Sequence, residues 1–121
     1  MSKTILTVDD SPSIRRMVSL TLREAGYNVL EAVDGQDGFA KATTSRVDAI
    51  ITDQNMPNMD GISMIRALRA HPNGKGVPIV VLSTDSADNL KQQARAAGAL
   101  GWMVKPFTQD KLLAVMKKVL G

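Results

Sequence analysis

The sequence predicts an α/β fold: a (βα)5 unit in which five parallel strands form one doubly wound sheet with helices on both faces. Strand-like apolar runs and amphipathic, helix-like segments alternate five times along the 121 residues, the pattern of parallel strands joined by helical crossovers. The third and fourth runs, Ala49-Ile50-Ile51-Thr52 and Pro78-Ile79-Val80-Val81-Leu82, are almost unbroken apolar stretches, as expected of strands covered on both faces. Four of the five runs also end in polar groups: Asp9-Asp10, Asp53, Ser83-Thr84 and Lys105-Pro106. Parallel strands bring their C-terminal ends to one edge, which is where open α/β sheets bind ligands.

Each element has its own signals. The first strand spans Thr4–Val8. Ser11-Pro12 then supplies a capping hydroxyl and a proline at the first helical position, opening a helix with Ile14, Met17, Val18, Leu22 and Ala25 on its buried stripe and Gly26 as its stop. The second strand, Asn28–Ala32, is weaker and more polar and suits a sheet edge. Asp34-Gly35 begins a short second helix with Phe39 and Ala42 inward. The third strand is Ala49–Asp53. Asp60 caps a third helix that buries Ile62, Ile65 and Leu68 and that Pro72-Asn73-Gly74 ends. The fourth strand is Pro78–Ser83, after which Ser86 or Asp85 opens a helix with Leu90, Ala94 and Ala97 inward and Gly98 at its end. Gly101–Val104 is the fifth strand. The last helix starts near Thr108 and has the clearest stripe: Leu112, Leu113, Met116, Val119 and Leu120. With no repeat, linker or low-complexity tract, residues 1–121 read as one domain with no fused effector.

Composition narrows the function classes. Apolar residues make up 44% of the chain and aromatics 3%, so the core is aliphatic, with the seven methionines as packing filler. Met56 and Met59 are expected to be exposed. The absence of cysteine excludes disulfides and thiolate chemistry. No apolar stretch approaches the ~18 residues of a membrane span and no signal peptide opens the chain, which predicts a cytoplasmic protein, expected to be a monomer. The net charge of +3 does not imply nucleic-acid binding, because Lys and Arg are scattered over different helices without interleaved aromatics. His71 reads as a surface residue, and without a Cys or His partner it offers no zinc site.

The chemistry concentrates at the strand ends. If the first and third strands are neighbours they lie ~4.8 Å apart, and Asp9, Asp10 and Asp53 crowd together. Two carboxylates at ~4 Å repel by roughly 4 kcal/mol at an effective dielectric near 20. Lys105 offsets only part of that charge, so a divalent cation is expected, and Mg2+ suits a hard, all-oxygen site that also binds phosphate. A carboxylate can accept a phosphoryl group covalently, and transfer then depends on positioning and charge stabilisation. Asp53 ends the central, most apolar strand and is the expected acceptor. Asp9 and Asp10 are the expected metal ligands, with Lys105 and Ser83 contacting phosphoryl oxygens.

The motifs Val8-Asp9-Asp10-Ser11, Asp53-Gln54-Asn55-Met56-Pro57-Asn58-Met59-Asp60-Gly61, Leu82-Ser83-Thr84 and Lys105-Pro106-Phe107 together resemble the response-regulator receiver domains of two-component phosphorelays, most closely the stand-alone chemotaxis members. The resemblance extends over the whole chain. It implies the flavodoxin-like strand order 2-1-3-4-5 and Asp53 as phosphoacceptor. It also implies Mg2+ held directly by Asp10 and Asp53, by Asp9 through water and by the Asn55 main-chain carbonyl. Ser83 and Lys105 would contact the phosphoryl group, Ser83 and Trp102 would form the switch, and Asn55 and Asp85 would tune dephosphorylation. A cis bond between Lys105 and Pro106 is a further implication. The implied partners are a sensor histidine kinase as donor, a separate output protein such as the flagellar motor switch, and a phosphatase.

Two departures from the family pattern stand out. Trp102 occupies the position of the usual switch tyrosine or phenylalanine, and its larger indole donates only one hydrogen bond, which predicts a restricted inward swing. Ser11 and Gln54 stand where bulkier aromatics often flank the acceptor, so access to Asp53 is expected to differ. The alternatives are a phosphorelay intermediate or a non-chemotactic receiver and, less favoured, an aspartyl-phosphate phosphatase, whose usual second acid is replaced by Asn55. A flavin module is disfavoured because Asp9-Asp10 would repel phosphate. The protein is therefore expected to be a signalling phosphoacceptor and not an enzyme acting on a separate substrate.

Overall fold

A computed structural model describes residues 2–120. The elements follow as β1 (Thr4–Val8), α1 (Pro12–Glu24), β2 (Asn28–Ala32), α2 (Gly35–Thr44), β3 (Ala49–Asp53), α3 (Gly61–Arg69), β4 (Ile79–Ser83), α4 (Asp88–Ala97), β5 (Gly101–Val104) and α5 (Gln109–Leu120). All strands pair in parallel in the order β2-β1-β3-β4-β5, so β2 and β5 are the edges and β3 is the centre. This is the flavodoxin-like arrangement, with the crevice at its C-terminal edge.

Alternation along each strand divides the core into two layers. Leu6, Val8, Ile50, Ile79 and Val81 face α2, α3 and α4, meeting Ala42, Ile62, Ile65, Leu68 and Ala94. Ile5, Ile51, Val80, Leu82 and Met103 face α1 and α5, meeting Val18, Leu22, Leu112 and Met116. β3 contributes to both layers and is buried along Ala49–Thr52, so the strand that presents Asp53 is anchored on both sides.

Helix starts follow the expected capping chemistry in four cases. Ser11, Asp34, Asp60 and Thr108 accept from the backbone N–H three residues on, at Ile14, Asp37, Ser63 and Lys111. Four local expectations need correction. Pro78 lies outside β4: without an N–H it cannot extend the ladder as a donor, although its carbonyl accepts from Ile50 at 2.9 Å. α4 begins at Asp88 with Ala87 as its uncapped N-cap, because the Asp85 carboxylate is used earlier, accepting from the Ala87 N–H at 2.8 Å. Ala25 is the exposed C-cap of α1 and not part of its buried stripe. Met56 and Met59 are half-buried against the α2–α3–α4 layer, not exposed. His71 is half-buried, its ring edge-on to Phe39 at 5.7 Å. Among the described residues no helix is long and apolar enough to cross a membrane.

Candidate functional site

The C-terminal ends of β1, β3, β4 and β5 bring Asp9, Asp10, Asp53, Ser83 and Lys105 to the same edge of the sheet. Register does this work. Val8 lies beside Thr52, Asp53 beside Leu82 and Ser83 beside Val104. Backbone bonds continue past the strands, with Asp9 N–H donating to the Ala32 carbonyl at 3.1 Å and Lys105 N–H to the Ser83 carbonyl at 2.7 Å. The three aspartates each offer an oxygen within 4.8 Å of the others. Asp9 is 2% exposed, Asp53 half-buried and Asp10 exposed, a gradient from the sheet interior to solvent.

The Lys105 ammonium lies 3.2 Å from Asp9 Oδ2 and 3.4 Å from Asp53 Oδ1. Asp9 Oδ1 accepts from the Ser11 N–H at 2.9 Å, and Asp53 Oδ1 from the Gln54 N–H at 2.9 Å. No hydrogen bond from a described residue reaches Asp53 Oδ2. Burial pushes the Asp53 carboxyl above the ordinary carboxylate range. Lys105 opposes that shift and the Asp9 charge adds to it. One ammonium therefore does not fully stabilise the ionised cluster, and the donor set, hard oxygens with an uncompensated negative charge, fits a small divalent cation.

Ser83 is fully buried and its Oγ accepts from the Asp85 N–H at 3.0 Å. The Asp85 carbonyl in turn accepts from Trp102 Nε1 at 3.0 Å. Trp102 is half-buried against the α2–α3–α4 layer. The Lys105-Pro106 bond is cis, and Asn55 is exposed in the loop after β3. The Gln54 side chain is 6% exposed and accepts from the Ile62 N–H at 2.9 Å, so its carboxamide is committed to the start of α3. Ser11 is the α1 cap.

Sequence reasoning missed two supports of the site. Arg15 donates from Nη1 to the Asp9 carbonyl at 2.7 Å and pairs through Nε with Glu31 at 3.1 Å. Asn58 Nδ2 donates to Asp34 Oδ2 at 2.7 Å. That bond and the Asp37 N–H, the stronger influence, hold the Asp34 carboxyl below its ordinary value. Asp34-Gly35 was readable as a helix start, but nothing local signals a partner 24 positions away.

Comparison with known proteins agrees with this geometry. Residues 5–117 match the family model described as the response regulator receiver domain. The transcriptional regulatory protein PrrA of Mycobacterium tuberculosis is 40% identical over 119 residues, which are 98% of this chain and 50% of PrrA. The chain thus spans about half the length of that curated relative. The chemotaxis protein CheY4 of Vibrio cholerae superposes with a TM-score of 0.95 at 46% identity, covering 99% of this chain and 100% of that one. The receiver domain of the sensor histidine kinase PA1611 from Pseudomonas aeruginosa was solved with a magnesium ion coordinated in its active-site cleft. It gives a TM-score of 0.92 at 31% identity, covering 100% of this chain and 99% of that one. With its strand order, its acidic cluster and its match over residues 5–117, the chain belongs to the response-regulator receiver domain family.

Proposed function

We propose that this chain is a phosphorylation-activated switch in which Asp53 accepts a phosphoryl group from a sensor histidine kinase in the presence of Mg2+. The observation that carries the proposal is the grouping of Asp53 with two further carboxylates and the Lys105 ammonium. Asp53 Oδ2 attacks phosphorus, the phosphorus–nitrogen bond to the donor imidazole breaks, and an acyl phosphate forms on Asp53. Asp9, Asp10, Asp53 and the Asn55 main-chain carbonyl would hold Mg2+, which when bound neutralises negative charge on the carboxylates and the phosphoryl oxygens. Lys105, already 3.4 Å from Asp53, supplies a positive contact, and the Ser83 hydroxyl would donate to another phosphoryl oxygen. Water attack on the acyl phosphate releases inorganic phosphate and restores Asp53, at a rate that Asn55 and Asp85 would tune.

Phosphorylation biases pre-existing states. The link from Ser83 through Asp85 to Trp102 supports a readout on the surface of α4, β5 and α5. In this reading the protein is a cytoplasmic monomer that does not bind nucleic acid, its output is a separate protein, and a phosphatase partner resets it. The 46% identity to CheY4 over that entire chain favours chemotaxis, with the flagellar motor switch as output. The 40% identity to half of PrrA supports the second reading, a non-chemotactic receiver or a phosphorelay intermediate.

Incubation with acetyl phosphate and Mg2+, followed by intact-mass spectrometry, tests the acceptor. One phosphoryl mass increment is expected, absent in Asp53→Asn and absent when EDTA is added. Steady turnover of phosphomonoesters would instead indicate a phosphatase, and an increment retained in Asp53→Asn would remove Asp53 from the role. A pull-down with and without a beryllofluoride phosphoryl mimic separates the two pathways: capture of flagellar switch components supports chemotaxis, and capture of a histidine phosphotransfer protein supports the relay.

A further inference from the structure

The loop over residues 54–60 leads from Asp53 to α3 and is tied down at both ends. At its entry the Gln54 side chain accepts from the Ile62 N–H at 2.9 Å, and its carbonyl accepts from the Gly61 N–H at 3.0 Å. At its far side Asn58 Nδ2 donates to Asp34 Oδ2 at 2.7 Å, and Gly35 N–H donates to the Met59 carbonyl at 3.1 Å. Asp34 is shared between two tasks. Its Oδ1 accepts from the Asp37 N–H at 2.8 Å and caps α2, which leaves Oδ2 for the loop. The approach of α2 to the loop is close, because a Cβ at Gly35 would lie 2.2 Å from the Met59 carbonyl oxygen. Asn58 has φ 69, in the left-handed region, a conformation that persists when the surroundings determine it.

Between these anchors lie Asn55, Met56 and Pro57. Asn55 is exposed, and no side-chain hydrogen bond from a described residue holds it. Its position two residues after Asp53 is therefore inherited from the anchors on either side and from Met56, which packs against the α2–α3–α4 layer.

We propose that Asp34 and Asn58 are positioning residues: their hydrogen bond latches α2 to the loop after β3 and so sets the Mg2+ affinity of the pocket without touching the ion. This inference rests on the reading of the pocket as an Mg2+ site. A small cation that demands near-ideal octahedral geometry tolerates little displacement of its donors. Residues that orient ligands from behind typically change metal affinity by 10–100-fold when removed. Without the latch, the Gln54 and Met59 bonds keep the loop folded, but its middle samples more positions and ion binding must then order it.

Glycine adopts φ 69 without strain but also frees the backbone there, so Asn58→Gly removes the side-chain bond and is paired with a change at Asp34 that leaves the loop backbone untouched. The expected result is Mg2+ binding weakened about tenfold by isothermal titration calorimetry. Faster amide hydrogen exchange across residues 54–60 of the metal-free protein should accompany it, with an unchanged circular dichroism spectrum. Asp34→Ser keeps a hydroxyl for the Asp37 N–H but is too short to reach Asn58, and it should lose the same affinity. The double variant should lose no more than either single one, as expected of two halves of one interaction. Whichever single variant keeps the native spectrum decides the matter. Mg2+ binding within about twofold of the parent, or losses that add in the double variant, would overturn the latch and leave the metal site standing. No Mg2+ binding by the parent protein would remove the site itself and the latch with it.

Discussion

At the scale of single residues, Asp53 carries the largest electrostatic conflict. Burial and the Asp9 charge raise its carboxyl above the ordinary range in spite of Lys105. A raised folded-state value means that Asp53 favours the folded state fully only while protonated, below the unfolded value, and that this contribution is lost as pH rises through the folded value. Asp53→Asn should therefore melt higher than the parent at neutral pH without metal, by a few degrees, and the gain should shrink toward pH ~4. Saturating Mg2+ should stabilise the parent and reverse the order. Thermal melts at two pH values, each with and without Mg2+, check both signs, and a metal-free gain as large at pH ~4 as at neutral pH would contradict the assignment. The acidic residues and Lys105 were legible in the sequence because each ends an apolar run, a local signal. The Arg15 contact to the Asp9 carbonyl and the Asn58 bond to Asp34 were not, since a side chain's choice among distant partners leaves no periodic trace.

At the scale of elements, the alternation of strands and helices along the chain is readable from periodicity and capping residues. The order of strands in the sheet follows instead from the family resemblance, and the element boundaries differ at the ends. Asp85 and Ser86 are both good capping residues and point to an earlier start for α4, yet Asp85 closes a turn before the helix begins. The spacing of Ala25 points inward, whereas α1 has already ended at Glu24. The end of α4 has a support that sequence does not reveal. The Arg69 guanidinium donates to the carbonyls of Gly74 at 2.7 Å, Lys75 at 3.2 Å and Gly98 at 2.7 Å, tying the loop after α3 to the αL cap of α4. Removing a cation from carbonyls at a helix end leaves acceptors unsatisfied. Arg69→Ala should cost about 2–3 kcal/mol in urea unfolding. Arg69→Lys should recover less than half of that, because an ammonium cannot reproduce the planar fork. Equal midpoints for Arg69→Ala and the parent would show the tie to be energetically idle.

At the scale of the whole molecule, the two aliphatic layers lie beneath the sheet's C-terminal rim, and the reactive groups sit on that rim. Ser83, Asp85 and Trp102 form a hydrogen-bonded path from the pocket to the side of β5. Trp102 is the only tryptophan, so its emission should change when Mg2+ and beryllofluoride bind together. Flat intensity and wavelength, with binding shown by calorimetry, would mean that the indole does not sense the pocket. The order of the strands also governs how the molecule behaves among its own copies. Bare strand margins recruit other chains, and here the two margins are β2 and β5. β5 has only four residues and begins with Gly101, while β2 holds Glu31 clasped by Arg15 and Arg23. One margin is too short to template growth and the other is guarded by charge, so the sheet has little tendency to extend into fibrils at high concentration.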